Sequence, residues 1–201
     1  MKGHGYSCLI ALACSFFSAS VLASSEHGLK LYGVTIGGNI HDSNVEYKDF
    51  SNEFPRPDGT KMYKFMPVYT DNEISKFRFN KAYITPISSL VALLEFQSIV
   101  DKENDCNLAK DYVLNSKLSG MLSSFKTIKE LKDSGFKVKV DTPDVLYDTS
   151  NKILAQVACS KVENKTKHTQ KELLTVSVFS PSLIKQAMSE KGQLVAMGKT
   201  I

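Results

Sequence analysis

The residues best placed to do chemistry lie in LYGVTIGGNIHD, Leu31 to Asp42. An apolar run meets Gly37-Gly38, and His41-Asp42 follows at once. One chemistry for such a stretch is a phosphate-binding loop of the G-x-x-x-x-G-K-[ST] kind. Gly33 and Gly38 have that spacing, but Asn39 stands where the loop needs its lysine. The charge for the phosphates is missing, and so is the hydroxyl for magnesium. A dinucleotide fingerprint, G-x-G-x-x-G opening a helix, is not matched either. The glycines read as a turn that needs positive φ. His41 and Asp42 are adjacent, so they point to different sides and a base with its orienter would need a third group. Asp42, Glu46 and Asp49 are the ligand type a hard cation takes, but no regular ligand spacing organises them. No metal and no cofactor is therefore expected. Asn39, His41 and Asp42 stand as candidate binding residues.

A second candidate is SKVENKTKHTQK, Ser160 to Lys171, which carries four lysines, one histidine and one glutamate. It joins two strands and reads as a solvated hairpin loop. Its sharper reading is a basic finger that meets an acidic partner or an anionic headgroup, with Lys165, Lys167 and His168 as the contacts. Elsewhere the chain has no G-x-S-x-G, no HExxH and no CxxC. An enzyme would need a site assembled from distant residues. A hydrolase built around His41 and acidic neighbours is that alternative.

The N-terminus reads as a targeting segment. Lys2 supplies a positive charge, an apolar run spans Cys8 to Phe17, and small residues follow in SASVLASS. Val21 and Ala23 fit the small-residue rule, which places cleavage after Ala23 and makes residues 1–23 a signal peptide. The run is shorter than the roughly 20 apolar residues a bilayer span requires. IALAC, ending at Cys14, resembles a lipobox, with Ala11 where leucine usually stands. Lipidation there would attach the protein to a membrane without changing its fold. Export leaves two cysteines, Cys106 and Cys159, and a pair in an exported chain reads as one disulfide. Such a bridge closes a loop of roughly 50 residues, worth about 4 kcal/mol in the chain-entropy model.

Residues 24–201 are enough for one domain with a real core. Without Lys2 the charge is 24 basic against 21 acidic side chains, too even to suggest nucleic acid. Only Arg56 and Arg78 are arginines, the residue nucleic-acid surfaces favour.

The elements that must hold these residues follow from periodicity. Leu29–Ile36 reads as a strand broken at Gly37-Gly38. Residues 39–60 read as irregular, pinned to the core by Tyr47, Phe50 and Phe54. Lys61–Tyr69 alternates, with Pro67 marking an edge or an end. Lys76–Ile84 alternates with Phe77 and Phe79 inward, and Ser89–Val100 reads as a central strand paired with it. Asp105–Asp133 reads as helical, divided at Ser119-Gly120 and closed by Gly135. Leu118, Met121, Leu122, Phe125 and Ile128 recur at helical spacing and make one apolar face. Phe136–Val140, Lys152–Cys159 and Glu172–Phe179 read as strands. Ile153, Ala155, Val157 and Cys159 share one face of the second, and Leu174, Val176 and Val178 one face of the third. Ser180-Pro181 opens a last helix that ends near Gly192, and residues 192–201 read as loosely ordered. The order implies an α+β fold: a single domain with an antiparallel sheet of about six or seven strands, two or three helices and one disulfide.

GVTIGGNIHDSNV also resembles a short opening motif of bacterial envelope modules of the outer-membrane assembly lipoprotein type, in which a strand runs into glycine and then a helix. The resemblance implies a bacterial envelope protein and carries over no site. The combined expectation is an exported, periplasmic or secreted binding protein that works through a protein–protein surface. An inhibitor or immunity protein against a toxin or lytic enzyme fits this pattern, since it needs a stapled scaffold and no catalytic group. An envelope assembly component, as an outer-membrane lipoprotein, is the alternative. The expected partner is another protein, with no nucleic acid, and with a membrane only if Cys14 is lipidated.

Overall fold

A computed structural model describes residues 28–53, 55–67, 77–100, 105–116, 122–133, 144–164 and 169–199. A small hairpin comes first, β1 (Lys30–Leu31) and β2 (Val34–Thr35), then a 3-10 turn at Ile40–Asp42. The strands β3 (Tyr47–Asp49), β4 (Lys61–Phe65), β5 (Phe79–Ile84) and β6 (Val91–Val100) follow. Next come α1 (Asp105–Ser116), β7 (Lys126–Thr127), α2 (Ile128–Asp133) and β8 (Val145–Asp148). The chain closes with β9 (Ile153–Asn164), β10 (Thr169–Phe179) and α3 (Pro181–Ala196). β3 to β10 form one eight-stranded antiparallel sheet in the order β3-β4-β5-β6-β10-β9-β8-β7. The α+β class and the antiparallel sheet are as the sequence implied, with eight strands in place of six or seven and with three α-helices among the described residues. None of these helices is long and apolar enough to cross a membrane.

Alternation decides which face of the sheet is core. Ala82 and Ile84, Leu94 and Phe96, Leu174, Val176 and Val178, and Ile153, Ala155 and Val157 are all buried on one side. β6 is paired on both edges and alternates as a strand, with Leu94 and Phe96 on the core face and Leu93, Glu95 and Gln97 on the other. Against the core face sit the β1–β2 hairpin and α1. Cys106 and Val113 of α1 are buried, with Ala109 partly so. That three-four spacing is the buried stripe of a helix. Cys106 bonds to Cys159, so the predicted disulfide ties α1 to β9, with Cα atoms 6.1 Å apart.

Several local expectations are corrected. Leu29–Ile36 is not one strand: Tyr32 and Gly33 take positive φ, 51° and 93°, and fold it into a hairpin. Residues 39–60 hold β3 as well as a 3-10 turn. Of the three expected pins, Tyr47 is exposed on β3 and reaches the core only through the Tyr63 ring, Phe50 is half-buried, and Phe54 lies outside the described residues. Phe77 is buried as expected, but Phe79 is 45% exposed. Pairing starts at Phe79, and Asn80, Ala82 and Ile84 claim the core face, which turns Phe79 outward. The five-residue apolar stripe does not lie on one helix. Leu122 and Phe125 are fully buried from a turn, β7 follows, and Ile128 opens α2, while Leu118, Met121 and Gly135 lie outside the described residues. The expected strand Phe136–Val140 also lies outside them. β8 was not anticipated. β4 ends before Pro67, as predicted. β9 runs on past Cys159 to Asn164, and β10 starts at Thr169, so most of the expected 160–171 loop is strand. α3 begins at Ser180-Pro181 but passes through Gly192 to Ala196.

Candidate functional site

The GGNIHD segment delivers His41 to the sheet margin. Asn39 bridges to Leu90, and its Oδ1 accepts from the His41 N–H at 2.9 Å, which starts the 3-10 turn. His41 is exposed, and its Nδ1 lies 2.6 Å from the Tyr47 hydroxyl. Tyr47 in turn tilts against Tyr63, ring centroids 5.5 Å apart. Burial, with the Asp49 carboxylate beside it, pushes the Tyr63 phenol up to about 12. Burial opposes ionisation of Asp49, but hydrogen bonds from Ser51 and Tyr63 and the charge of Lys61 outweigh it and hold the carboxyl below its usual range. Asp42 is exposed, and among the described residues no ion pair joins His41 to a carboxylate. No group of three metal-ligating side chains forms among them either. Lys165, Lys167 and His168 lie outside the described residues.

The residues that sequence reading missed lie on the sheet's second face. The register sets Lys48 opposite Lys64, Lys64 opposite Lys81, and Lys81 opposite Glu95. Three lysines therefore stand in one row across β3, β4 and β5. Directly opposed like charges destabilise a sheet; even in water, unit charges 5 Å apart repel by about 0.8 kcal/mol. Lys81 is compensated: its Nζ donates to Glu95 at 2.8 Å and to Gln97 at 3.1 Å, and Tyr83 donates to the same Glu95 oxygen at 3.2 Å. Lys48 and Lys64 have no carboxylate within ion-pair distance among the described residues. Both ammonium groups lie over the Phe50 ring, 5.0 and 4.0 Å from its centroid. An open hollow of about 270 Å³ lies here, lined by Glu46, Tyr47, Lys48, Lys64, Phe65 and Met66.

Further along this face the cover closes. Arg56 lies 4.3 Å over the Tyr83 ring, and its guanidinium is paired to Asp58 at 2.7 Å. Asp58 also accepts from the Thr60 hydroxyl and N–H, which fixes the turn before β4. Burial works against the Asp58 charge, yet the Arg56 and Thr60 hydrogen bonds prevail and lower its pKa. At the other end of β5 and β6 the second face stays open. Phe79 and Ile99, 45% and 37% exposed, are diagonal neighbours there, with Gln97 directly opposite Phe79.

α3 is locked to the β5–β6 turn by Glu190, only 7% exposed. Its carboxylate accepts from the Ile87 N–H at 2.7 Å, the Ser88 N–H at 3.1 Å, the Ser88 hydroxyl at 2.6 Å and Gln186 Nε2 at 2.8 Å. Burial would raise this carboxyl, but these donors outweigh it and lower its pKa.

Compared with known family models, curated proteins and solved structures, the chain matches none of them.

Proposed function

We propose that this is an exported, non-catalytic binding protein that acts through a protein–protein surface, with an inhibitor or immunity protein as the kind that such a stapled scaffold suits. The observation that carries the reading is the open part of the sheet's second face. There Phe79 and Ile99 stand exposed beside Lys81, Glu95 and Gln97, whose polar groups are already joined to one another. Exposed aromatic and aliphatic anchors beside preorganised polar groups are what a specific protein interface needs. Strands fixed on both sides lose little freedom when a partner docks. The His41 neighbourhood supports the same reading, because its hydrogen bond goes to Tyr47 and organises β3.

The test is affinity capture with the tagged protein from Ser24 onward, from envelope extract and from culture fluid, read by mass spectrometry. Wild type, Phe79→Asp and the distant Met197→Asp are compared. A stoichiometric partner that Met197→Asp retains and Phe79→Asp loses is the expected result. No such partner, or one indifferent to Phe79→Asp, overturns the reading.

A further inference from the structure

The lysine row ends at an open strand edge. Among the described residues, β3 is the outermost strand of the sheet and pairs with β4 alone. The Met66 N–H donates to Glu46 O and the Phe50 N–H to Met62 O. In an antiparallel ladder this pattern turns the backbone groups of Tyr47 and Asp49 outward. Lys48 then occupies a position that is not hydrogen-bonded to an added strand, where opposed side chains come closest. We propose that the β3 edge is completed by an extended, acidic segment of a partner protein, which adds as a further antiparallel strand and sets a carboxylate opposite Lys48.

Charge complementarity selects this occupant. An edge lysine ordinarily guards a strand against unwanted pairing. Lys48 alone would do that. Lys64, however, is on an interior strand, where a second unneutralised lysine deters nothing and only adds repulsion. Both ammonium groups converge on Phe50, so they are held in place before any ligand arrives. Lys81 has Glu95 as its counter-charge on one side of the row; an acidic strand would supply the matching one on the other. A second copy of this chain is a poor fit, because antiparallel pairing centred on β3 sets Lys48 against Lys48. The side chains on this face also fix a pattern. In the incoming strand, read from its N-terminus, an apolar residue faces Phe50, an acid faces Lys48 and a base faces Glu46.

The inference rests on the reading of the protein as a binder, and deepens it. The probe is the capped peptide Ac-Thr-Val-Thr-Glu-Thr-Lys-Thr-amide, titrated to millimolar concentration into the 15N-labelled full chain with its disulfide intact. A control peptide carries lysine in place of the glutamate. Exposed ion pairs contribute up to about fivefold in affinity each, so the acidic peptide is expected to bind about two- to fivefold more tightly than the control. The amides of Tyr47, Lys48 and Asp49 should move most. Lys48→Glu should reverse the order of the two peptides, a result that lost folding cannot imitate. Lys64→Gln should weaken the acidic peptide about two- to fivefold. Absent shifts at the β3 amides overturn the inference, as do equal affinities for the two peptides or an unchanged order in Lys48→Glu. A captured partner that needs Phe79 but ignores Lys48→Glu also overturns it, while leaving the binding reading intact.

Discussion

Replacing Glu190 tests whether one carboxylate holds α3 to the β5–β6 turn. Two backbone N–H groups, one hydroxyl and one amide donate to it. In Glu190→Ala the Ile87 and Ser88 N–H groups lose their acceptor. A hydrogen bond to a charged group is worth about 1.5–3 kcal/mol, and the low end applies here because Ile87 is 47% exposed and Ser88 half-buried, so water reaches both once the carboxylate is removed. The Ser88 hydroxyl keeps Thr85 Oγ1 at 2.6 Å, and Gln186 keeps Ser88 Oγ at 3.0 Å, so those two groups lose less. The sum is a loss of about 3–4 kcal/mol for Glu190→Ala. Glu190→Gln keeps an oxygen for the two N–H groups and loses chiefly the charge, so about 1–1.5 kcal/mol is expected. The pH dependence has a definite sign. The folded carboxyl lies below its unfolded value of 4.5, so the stabilisation is full above that pH and is lost as pH falls through the folded value. Urea unfolding of wild type and both variants at pH 7 and at pH 3 to 4 measures this. The stability gap between wild type and Glu190→Gln should narrow in acid. A Glu190→Ala cost under about 1 kcal/mol, or a gap that does not change with pH, refutes the clamp.

Two further predictions concern the scaffold. The Cys106–Cys159 bridge closes a separation of 53 residues, so Cys106→Ala with Cys159→Ala should lower stability by about 4 kcal/mol, visible as a lower urea midpoint. Intact mass should rise by two hydrogens on reduction, and unchanged mass with two free thiols would remove the bridge. Gly59 has φ +79°, and a Cβ there would come within 2.7 Å of Lys191 Cβ and 3.0 Å of Ala187 O. Gly59→Ala should therefore cost about 2–3 kcal/mol, because it combines left-handed strain with a clash against α3; a urea midpoint equal to wild type would show that this approach is not needed.

What the sequence reveals divides along locality. β10 and the first half of β9 are legible because their alternation is complete within each strand, and nothing interrupts it. The disulfide is legible because reading the N-terminus as a signal peptide leaves one pair of cysteines. The start of α3 is legible because proline fixes the first turn. Other features depend on register between distant segments. Lys48, Lys64 and Lys81 are spread over three strands, and only the pairing of β3, β4 and β5 makes them a row. Glu190 meets Ile87 and Ser88 across about a hundred residues, and no spacing rule connects them. The β1–β2 hairpin was hidden for a different reason. Tyr32 takes positive φ, where sequence rules expect glycine or asparagine, so the run looked like one strand. Phe79 misled because aromatic residues are assigned inward by type, whereas the core side of β5 is set by the smaller Ala82 and by Ile84.

The candidate pair His41-Asp42 acquires a sense once β3 is seen. β3 has two faces, and each is furnished differently. On the core side Tyr47 meets His41 and Tyr63, and Asp49 is held by Ser51 and Tyr63. On the other side Lys48 and Lys64 converge on Phe50. A three-residue edge strand contributes few ladder bonds and would fray without support. The glycine turn and the 3-10 turn place His41 where it braces that strand from one side, and this frees the opposite side to carry unpaired cations. The stretch that looked most like a catalytic site thus serves, in this reading, to hold a recognition edge in register.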